Sequence, residues 1–203
     1  MKEQRVTITD TRITYSDNPN QVVMDAVSKD LMKAYSNIVC QNKGKVLDVG
    51  FGLGYSADAI YNAVGNYTCI EINPQIYQEA LKWAENKSNV KIYLGDWIKV
   101  IPEMAYRDIT FDGIFMDTYG EGPETYTLFE NYAKTIANPN CVLSIYSYHG
   151  IRNPEELHNH YFEINNEHRL NYPRKFEKGH NINWTYYNED KSIFEKKEKS
   201  AAI

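Results

Sequence analysis

Short apolar runs alternate, through the middle of the chain, with segments whose apolar residues recur at helical spacing. The apolar runs are typical of buried strands and cover residues 45–49, 67–72, 90–94, 111–117 and 141–147. The segments between them predict helices at 55–64, 74–86, 97–104 and 123–137. Pro74 and Pro123 support two of these helix starts, because proline is well tolerated in the first helical turn. The alternation of strands and helices predicts an α/β fold with a doubly wound, mostly parallel sheet.

The N-terminal part of the chain has a different pattern. Apolar residues recur at helical spacing over residues 21–39, which predicts an amphipathic helix. Before it, short alternating stretches at 6–8 and 13–15 predict a small hairpin. We expect residues 1–20 to form an N-terminal flap or arm beside the main domain.

The C-terminal part has weaker periodicity. Runs at 161–164 and 182–187 predict two last strands, which would form an antiparallel hairpin and complete a seven-stranded sheet. Residues 191–203 are charged and short of apolar anchors, so we expect a frayed tail. The main domain is therefore predicted to span residues 21–190.

The composition is that of an ordinary globular protein. The chain has 203 residues, 42% of them hydrophobic, and a formal net charge of −5, which disfavours binding to duplex DNA. Neither a membrane span nor a signal peptide is expected, because no apolar run is long enough and the N-terminus is polar. An odd number of widely spaced cysteines is typical of reduced thiols and predicts a cytoplasmic protein; they are Cys40, Cys69 and Cys141.

Three alternating glycines follow the first strand of the main domain. Gly50, Gly52 and Gly54 stand between that strand and a helix, where glycine permits a tight turn and close approach to a ligand. The second strand ends in a carboxylate, Glu71, about one βαβ unit later, as in nucleoside sites at the carboxyl edge of a parallel sheet. Because position 55 is Tyr, the spacing is not that of dinucleotide-binding loops. The pattern favours S-adenosylmethionine as the cofactor, with S-adenosylhomocysteine as its product.

Further candidates for this cofactor lie at the ends of the first three strands. Asp48 precedes the glycines and either fixes the ligand's amino group or caps the loop amides. Glu71 and Ile72 end the second strand, and the Glu71 carboxylate either accepts hydrogen bonds from both ribose hydroxyls or stabilises a helix N-terminus. Asp96 and Trp97 follow the third strand, where a carboxylate can accept from the adenine amine while an indole or a backbone amide covers the ring.

Candidates for the acceptor side follow the fourth and fifth strands, whose ends border the crevice of a doubly wound sheet. Asp117 can orient an amine or guanidinium nitrogen and hold the proton that leaves it, or it can cap the helix at Pro123. Thr118, Tyr119 and Glu121 are substrate-binding candidates on the same loop. His149 is either a base with a pKa near neutrality or a polar loop residue. The predicted catalytic set is thus Asp117, Tyr119 and His149.

Four stretches resemble the class I S-adenosylmethionine-dependent methyltransferases, and in particular guanidinoacetate and arginine N-methyltransferases. They are 46–52, Gly95-Asp96-Trp97 with Ile101-Pro102, 111–119 with its Asp-Thr-Tyr, and Val23-Met24-Asp25. The resemblance implies a Rossmann-like methyltransferase fold, with Glu71 on the ribose, Asp96 and Trp97 around the adenine, and Asp117 at the guanidino nitrogen. The family's Trp-Glu pair in the preceding helix aligns with Val27 and Ser28, so a second carboxylate is absent.

The predicted function is methylation of a nitrogen in a small guanidino or amino compound, or in an arginine side chain. Two alternatives stay open: a polyamine aminopropyltransferase-like enzyme, and a non-catalytic S-adenosylmethionine-binding module. No metal is predicted, because His158 and His160 have no accompanying cysteine pair or clustered acids. The identity of the acceptor and the oligomeric state are left open by the sequence.

Overall fold

Five parallel strands form the centre of the protein. The structure is a computed structural model that describes residues 5–118, 123–146, 182–186 and 194–195. The central strands are β4 (Val46–Val49), β5 (Tyr67–Glu71), β6 (Val90–Leu94), β7 (Phe111–Met116) and β8 (Ala137–Ile145). They lie in the order β6-β5-β4-β7-β8, and each is parallel to its neighbours. The predicted α/β fold with a parallel, Rossmann-like sheet is therefore confirmed for these five strands.

The strand order reverses at one place in the sheet, between the neighbouring strands β4 and β7. The chain runs outward through β4, β5 and β6, and then returns to the other side of β4 for β7 and β8. The carboxyl ends of β4 and β7 therefore diverge into connections on opposite faces, which opens a crevice at that edge. Val49 pairs with Met116 in register, so Gly50 and Asp117 stand side by side at the crevice.

Helices connect the strands, and their starts follow from local chemistry. They are α1 (Lys29–Val39), α2 (Tyr55–Val64), α3 (Pro74–Ala84), α4 (Trp97–Tyr106) and α5 (Pro123–Lys134). At α3 the Asn73 side chain accepts from the backbone N–H groups of Gln75 and Ile76, with Pro74 in the first turn. Asp96 caps α4 in the same way, by accepting from the Ile98 N–H. No helix in the described part of the chain has the length and apolarity to cross a bilayer.

Both faces of the sheet are buried. Leu47 and Val49 of β4 belong to a cluster with Trp97 and Phe129, on the face that α4 and α5 cover. Val46 and, from β7, Phe115 belong to the opposite cluster, which α1, α2, α3 and the N-terminal strands cover. This alternation along β4 is the two-residue period of strand side chains. Burial on both sides explains why the strands read as continuous apolar runs.

The N-terminal residues form a second, three-stranded sheet. Strands β1 (Val6–Ile8) and β2 (Arg12–Tyr15) make the predicted antiparallel hairpin, and β3 (Val22–Asp25) pairs antiparallel with β2. The predicted helix over 21–39 is wrong for its first part. Asp25 caps a 3-10 turn at Ala26–Ser28 by accepting from the Val27 N–H, so helical structure begins after it, and the preceding residues gain strand pairing instead.

This sheet joins residues on both sides of the predicted boundary between 20 and 21. The predicted division into 1–20, 21–190 and 191–203 is not otherwise tested and stays a prediction.

The connection between α5 and β8 also differs from the prediction. Helix α5 ends at Lys134 rather than at 137, and the predicted turn over 138–140 lies inside β8. Asn140 has a φ of 64°, a left-handed conformation that is common in turns. Here that conformation belongs to an irregularity in the pairing of β8 with β7, a β-bulge, and not to a turn between two elements. The Asn138 amide donates to Asp112 Oδ1 at 2.9 Å, which ties the bulge to β7.

Two further strands follow in the chain, β9 (Ile182–Tyr186) and β10 (Phe194–Glu195). Strand β9 pairs antiparallel with β8, and β10 with β9. The predicted strand at 161–164 lies outside the described residues, so the seven-stranded sheet with a C-terminal hairpin stays a prediction.

Gly50 is the point of closest approach between the two halves of the sheet. Its φ is +100°, and a Cβ built on it would lie 2.1 Å from the carbonyl oxygen of Asp117. Its N–H donates to the Ile70 carbonyl at 2.9 Å, and the Asp117 N–H donates to the Val49 carbonyl at 2.9 Å. Only glycine fits both the backbone conformation and the space.

The N-terminal sheet is fastened to the start of α3 by one side chain. Gln75 accepts from the Val6 N–H at 2.9 Å and donates to the Val6 carbonyl at 3.1 Å. These two bonds occupy the free edge of β1, as a neighbouring strand would. Val6 and Ile13 are buried in the same core cluster as Ile76 of α3, so the sheet is packed as well as hydrogen-bonded there.

We expect Gln75→Ala to loosen the N-terminal sheet while leaving the parallel sheet folded. The loss of two hydrogen bonds should lower the free energy of unfolding by about 1–2 kcal/mol and accelerate amide hydrogen exchange in residues 6–15. Gln78→Ala, an exposed position on the same helix, is the control. Unchanged exchange in Gln75→Ala would contradict the fastening role.

Replacing Gly50 by alanine should be far more costly than replacing Gly65. Both have positive φ, but a Cβ at Gly65 meets nothing within 4 Å. Gly65→Ala therefore incurs backbone strain alone, about 1 kcal/mol, whereas Gly50→Ala adds a backbone clash and should cost about 3 kcal/mol or more. Denaturant unfolding of the two variants tests this, and equal losses would refute the close approach.

Candidate functional site

The glycine loop lies against a methionine from the N-terminal sheet. Gly52 and Gly54 have φ of 55° and 78°, and Gly54 directly precedes α2. A Cβ on Gly52 would lie 2.4 Å from Met24 Sδ, and the Leu53 N–H donates to the same sulfur at 3.1 Å. Strand β3 therefore packs directly on the loop that the sequence predicted as the cofactor cradle.

Glu71 joins the glycine loop to the end of β5. Its Oε2 accepts from the Phe51 N–H at 2.9 Å, and its Oε1 accepts from the Asn73 N–H at 2.7 Å. The residue is 5% exposed, and burial raises its pKa, although hydrogen bonds from the backbone oppose that rise. These backbone groups include Gly52 and Ile72 as well as Phe51 and Asn73, so a ligand hydroxyl would share the Glu71 oxygens with backbone donors.

Asp48 is a fully buried acid beneath the loop. One oxygen, Oδ2, accepts from the Ser56 hydroxyl at 2.7 Å and the Tyr67 hydroxyl at 2.8 Å. The other oxygen, Oδ1, is buried without a hydrogen-bond partner. Burial raises the Asp48 pKa to about 7, against the lowering effect of the two hydroxyls. An orphaned oxygen of this kind is suited to a cationic donor such as an ammonium group.

Asp117 and Thr118 follow β7, next to Gly50 at the same edge of the sheet. Part of Asp117 is exposed, but its carboxyl group is deep enough that burial raises its pKa to about 7. Thr118 is half-buried, and its hydroxyl oxygen has no hydrogen-bond partner among the residues that the structure describes. The structure thus brings these two acceptor candidates to the same edge as Asp48 and Glu71.

The adenine-side candidates divide between two roles. Asp96 is engaged as the cap of α4, through its contact with the Ile98 N–H at 3.0 Å. The Trp97 indole is 5% exposed and packs edge-on against Phe129 at 5.2 Å, so it belongs to the core. Either the Trp97 indole or its backbone amide was expected to cover the adenine ring. Because the indole is packed in the core, only the backbone amide of Trp97 remains a candidate for that contact. Ile72 is 56% exposed at the end of β5, as an apolar surface for a flat ring requires.

Several predicted residues lie outside the described part of the chain. They are Tyr119, Glu121 and His149, together with the histidines at 158 and 160. Their roles stay predictions.

Two residues at this edge were not predicted as site residues. Met24 is an apolar position of the helix predicted over 21–39 and part of the Val23-Met24-Asp25 resemblance, which is the signal that could have placed it at the loop. Tyr35 is a further apolar position of that predicted helix. No sequence signal separates it from the other tyrosines, of which the chain has 17 in all.

The residues present fit an S-adenosyl amino acid. Such a ligand carries a ribose diol, an ammonium group and a carboxylate. Glu71 offers lone pairs for the diol and Asp48 an unpartnered oxygen for the ammonium group. The backbone of the glycine loop can lie close to the ligand, and the N-terminus of α2 directly after it favours the ligand's negatively charged carboxylate.

Comparisons with known proteins identify methyltransferases as similar to this chain. Arginine N-methyltransferase 2 of Yarrowia lipolytica is 24% identical over 155 residues, which cover 71% of this chain and 32% of that protein. This chain thus spans about a third of the length of that relative.

Two solved structures share the fold. The O-methyltransferase TomG from Streptomyces achromogenes, in complex with S-adenosylmethionine, superposes with a TM-score of 0.51 at 17% identity, over 72% of this chain and 66% of TomG. Fibrillarin from Aeropyrum pernix, also with S-adenosylmethionine bound, gives 0.51 at 13% identity, over 75% of this chain and 61% of fibrillarin.

The family model described as guanidinoacetate N-methyltransferase matches residues 6–179, which is most of the chain. That match includes the N-terminal sheet, the glycine loop and the edge that carries Asp117, and it confirms the resemblance found in the sequence. The chain belongs to the guanidinoacetate N-methyltransferase family, and so to the S-adenosylmethionine-dependent methyltransferases.

Proposed function

We propose that this protein transfers a methyl group to a nitrogen atom of a guanidino or amino acceptor, either a small molecule or an arginine side chain. The observation that carries the proposal is the position of Asp117. This residue is partly exposed, and it stands at the switch point of the sheet, beside Gly50 of the glycine loop.

The cofactor in this proposal is held by residues at the ends of β4, β5 and β6. Glu71 binds the ribose hydroxyls, Asp48 the ammonium group, and Ile72 with the Asp96–Trp97 segment the adenine. Gly50, Gly52 and Gly54 let the backbone lie close to the amino acid portion. When bound, S-adenosylmethionine supplies an electrophilic methyl group on a sulfonium centre.

Asp117 acts on the acceptor. Its carboxylate orients the acceptor nitrogen toward the glycine loop, which supplies the proximity that an in-line displacement requires. It also takes up the proton that the nitrogen loses. Thr118, whose hydroxyl has no hydrogen-bond partner within the described part of the chain, is a second polar contact for the acceptor. Tyr119, Glu121 and His149 are proposed as further contacts from the adjoining loops.

Two further proposals concern the C-terminal strands of the sheet and the cellular compartment of the protein. We infer a seven-stranded sheet closed by a C-terminal antiparallel hairpin, which β9 and β10 support. The three cysteines are buried and unpaired, which supports a reducing, cytoplasmic setting.

Calorimetric titration with S-adenosylhomocysteine tests the cofactor site. Wild type should bind with micromolar affinity, and Glu71→Gln should bind about 10- to 100-fold more weakly, because an amide cannot keep both backbone bonds and both diol bonds. Glu79→Gln, on α3 at a half-exposed position where Glu79 forms an ion pair with Lys82, should bind like wild type. Absence of binding to wild type would overturn the methyltransferase proposal. Tighter binding of the decarboxylated cofactor would favour an aminopropyltransferase.

The pH dependence of methyl transfer tests the role of Asp117. A guanidinium acceptor stays cationic throughout the neutral range. Because the pKa of Asp117 is raised to about 7, its ionised fraction grows as the pH rises from 6 to 8. We therefore expect kcat/KM for the acceptor to rise over this range.

Asp117→Asn should remove that rise and lower kcat/KM by about 10- to 100-fold, since the charged hydrogen bond is lost. Asp108→Asn, at an exposed turn with φ of 54° that asparagine tolerates, is the matched control. An unchanged pH profile in Asp117→Asn would assign the acceptor site to other residues. Binding of the cofactor without turnover of any guanidino, amine or arginine-peptide acceptor would favour a non-catalytic module.

A further inference from the structure

Buried polar atoms without partners are concentrated at one place in the described part of the chain. There, three buried side-chain nitrogen or oxygen atoms lack a hydrogen-bond partner: Asp48 Oδ1, Thr118 Oγ1 and Tyr35 OH. Asp48 and Thr118 belong to the proposed cofactor and acceptor sites. Tyr35 belongs to neither, and as a whole residue it is 0% exposed, like Asp48.

The ring of Tyr35 locates its hydroxyl near the acceptor edge. Tyr35 lies on α1, stacked on Phe115 of β7 at 6.0 Å and edge-on to Tyr146 at 5.1 Å. Tyr146 is the residue after β8, and its N–H donates to the Met116 carbonyl at 2.8 Å. The ring therefore sits between the carboxyl ends of β7 and β8.

Asp117 lies on the same side of β7 as this ring. Side chains two residues apart in a strand project from the same face, so Asp117 follows Phe115 on the face that α1 covers. Burial, Tyr146 and the negative charge of Asp117, in that order, raise the pKa of Tyr35 well above its ordinary value. The phenol is therefore neutral at physiological pH and offers one O–H donor and its oxygen lone pairs.

The hydroxyl contributes nothing to packing that would offset its burial. A phenylalanine would make the same contacts with Phe115 and Tyr146 without removing a polar group from water. Leaving such a group unpaired costs free energy in the folded protein. A polar atom from a ligand at this edge would remove that cost when it binds.

We propose that Tyr35 is an acceptor-binding residue whose phenol oxygen accepts a hydrogen bond from the guanidino group that Asp117 holds. This inference rests on the proposed function and narrows its acceptor to the guanidino class. A guanidinium presents five N–H donors in one rigid plane, so one edge can meet a carboxylate while another N–H meets a neutral oxygen. An ammonium group is more compact, so when it is bound to Asp117 its N–H groups extend less far toward the Tyr35 oxygen than those of a guanidinium.

Steady-state kinetics of Tyr35→Phe test the proposal, because this substitution removes one oxygen and keeps the ring. Guanidinoacetate and an arginine-containing peptide serve as acceptors, and putrescine serves as the amine for comparison. We expect the KM for the acceptor that wild type uses to rise about 10-fold. The Kd of S-adenosylhomocysteine should stay within about twofold, and the thermal unfolding midpoint should be unchanged or higher. Tyr61→Phe, whose ring packs edge-on against Trp83 in another aromatic cluster, should leave all three quantities unchanged.

The outcomes separate this inference from the proposed function. A wild-type acceptor KM in Tyr35→Phe overturns the role of Tyr35. So does a KM that rises together with a weaker S-adenosylhomocysteine Kd and a lower unfolding midpoint, since that is the result of a structural hydroxyl. Putrescine as the best wild-type acceptor overturns the guanidino class while leaving nitrogen methylation intact. Absence of wild-type turnover with every acceptor is instead a failure of the proposed function, and the role of Tyr35 falls with it.

Discussion

The carboxylate of Glu71 is the interaction on which the site depends. It accepts one backbone N–H from the glycine loop and one from the start of α3, at 2.9 and 2.7 Å. Through it the turn after β4 and the turn after β5 become one rigid unit. A buried acid of this kind is tolerable because charge-assisted bonds from backbone amides offset the loss of hydration. The same carboxylate stands at the carboxyl edge of the sheet, where we propose that it also accepts hydrogen bonds from the ribose hydroxyls.

Other elements of the edge are built around this unit. Met24 from the N-terminal sheet packs on the loop, and Gln75 fastens the far strand of that sheet to the helix after Glu71. The three-stranded sheet thus touches both segments that Glu71 joins. The N-terminal sheet is therefore held against the glycine loop and the start of α3.

The carboxyl edge of the sheet also carries groups that lower the free energy of unfolding. Asp48 and Asp117 both have pKa values raised to about 7, so each is costly to ionise in the folded protein at neutral pH. The sign follows from linkage: the folded state holds these protons more tightly than the unfolded state between about pH 4 and 7, so the free energy of unfolding falls as the pH rises through that window. Unpaired oxygens on Asp48, Thr118 and Tyr35 add to that cost. Strain and unpaired polar groups that gather at one edge are typical of a functional site.

The sequence was most informative where chemistry is local. The glycines, Glu71 and Asp117 were predictable because each sits at the end of a strand whose apolar run marks it, and the parallel fold brings such ends together. Residues 22–25 were assigned to a helix because their apolar spacing suits either structure, and only pairing with β2 and the Asp25 cap decides between them. Tyr35 and Gln75 had no local signal, because their roles arise from contacts with β7, β8 and β1, far away in sequence.

A crystal structure of the protein with S-adenosylhomocysteine tests the central claim most directly. We expect the ligand at the carboxyl edge, with its ribose hydroxyls on Glu71 while that carboxylate still accepts from the Phe51 N–H. Its ammonium group should face Oδ1 of Asp48. A ligand bound elsewhere, or one at this edge whose ribose contacts neither oxygen of Glu71, would contradict the account.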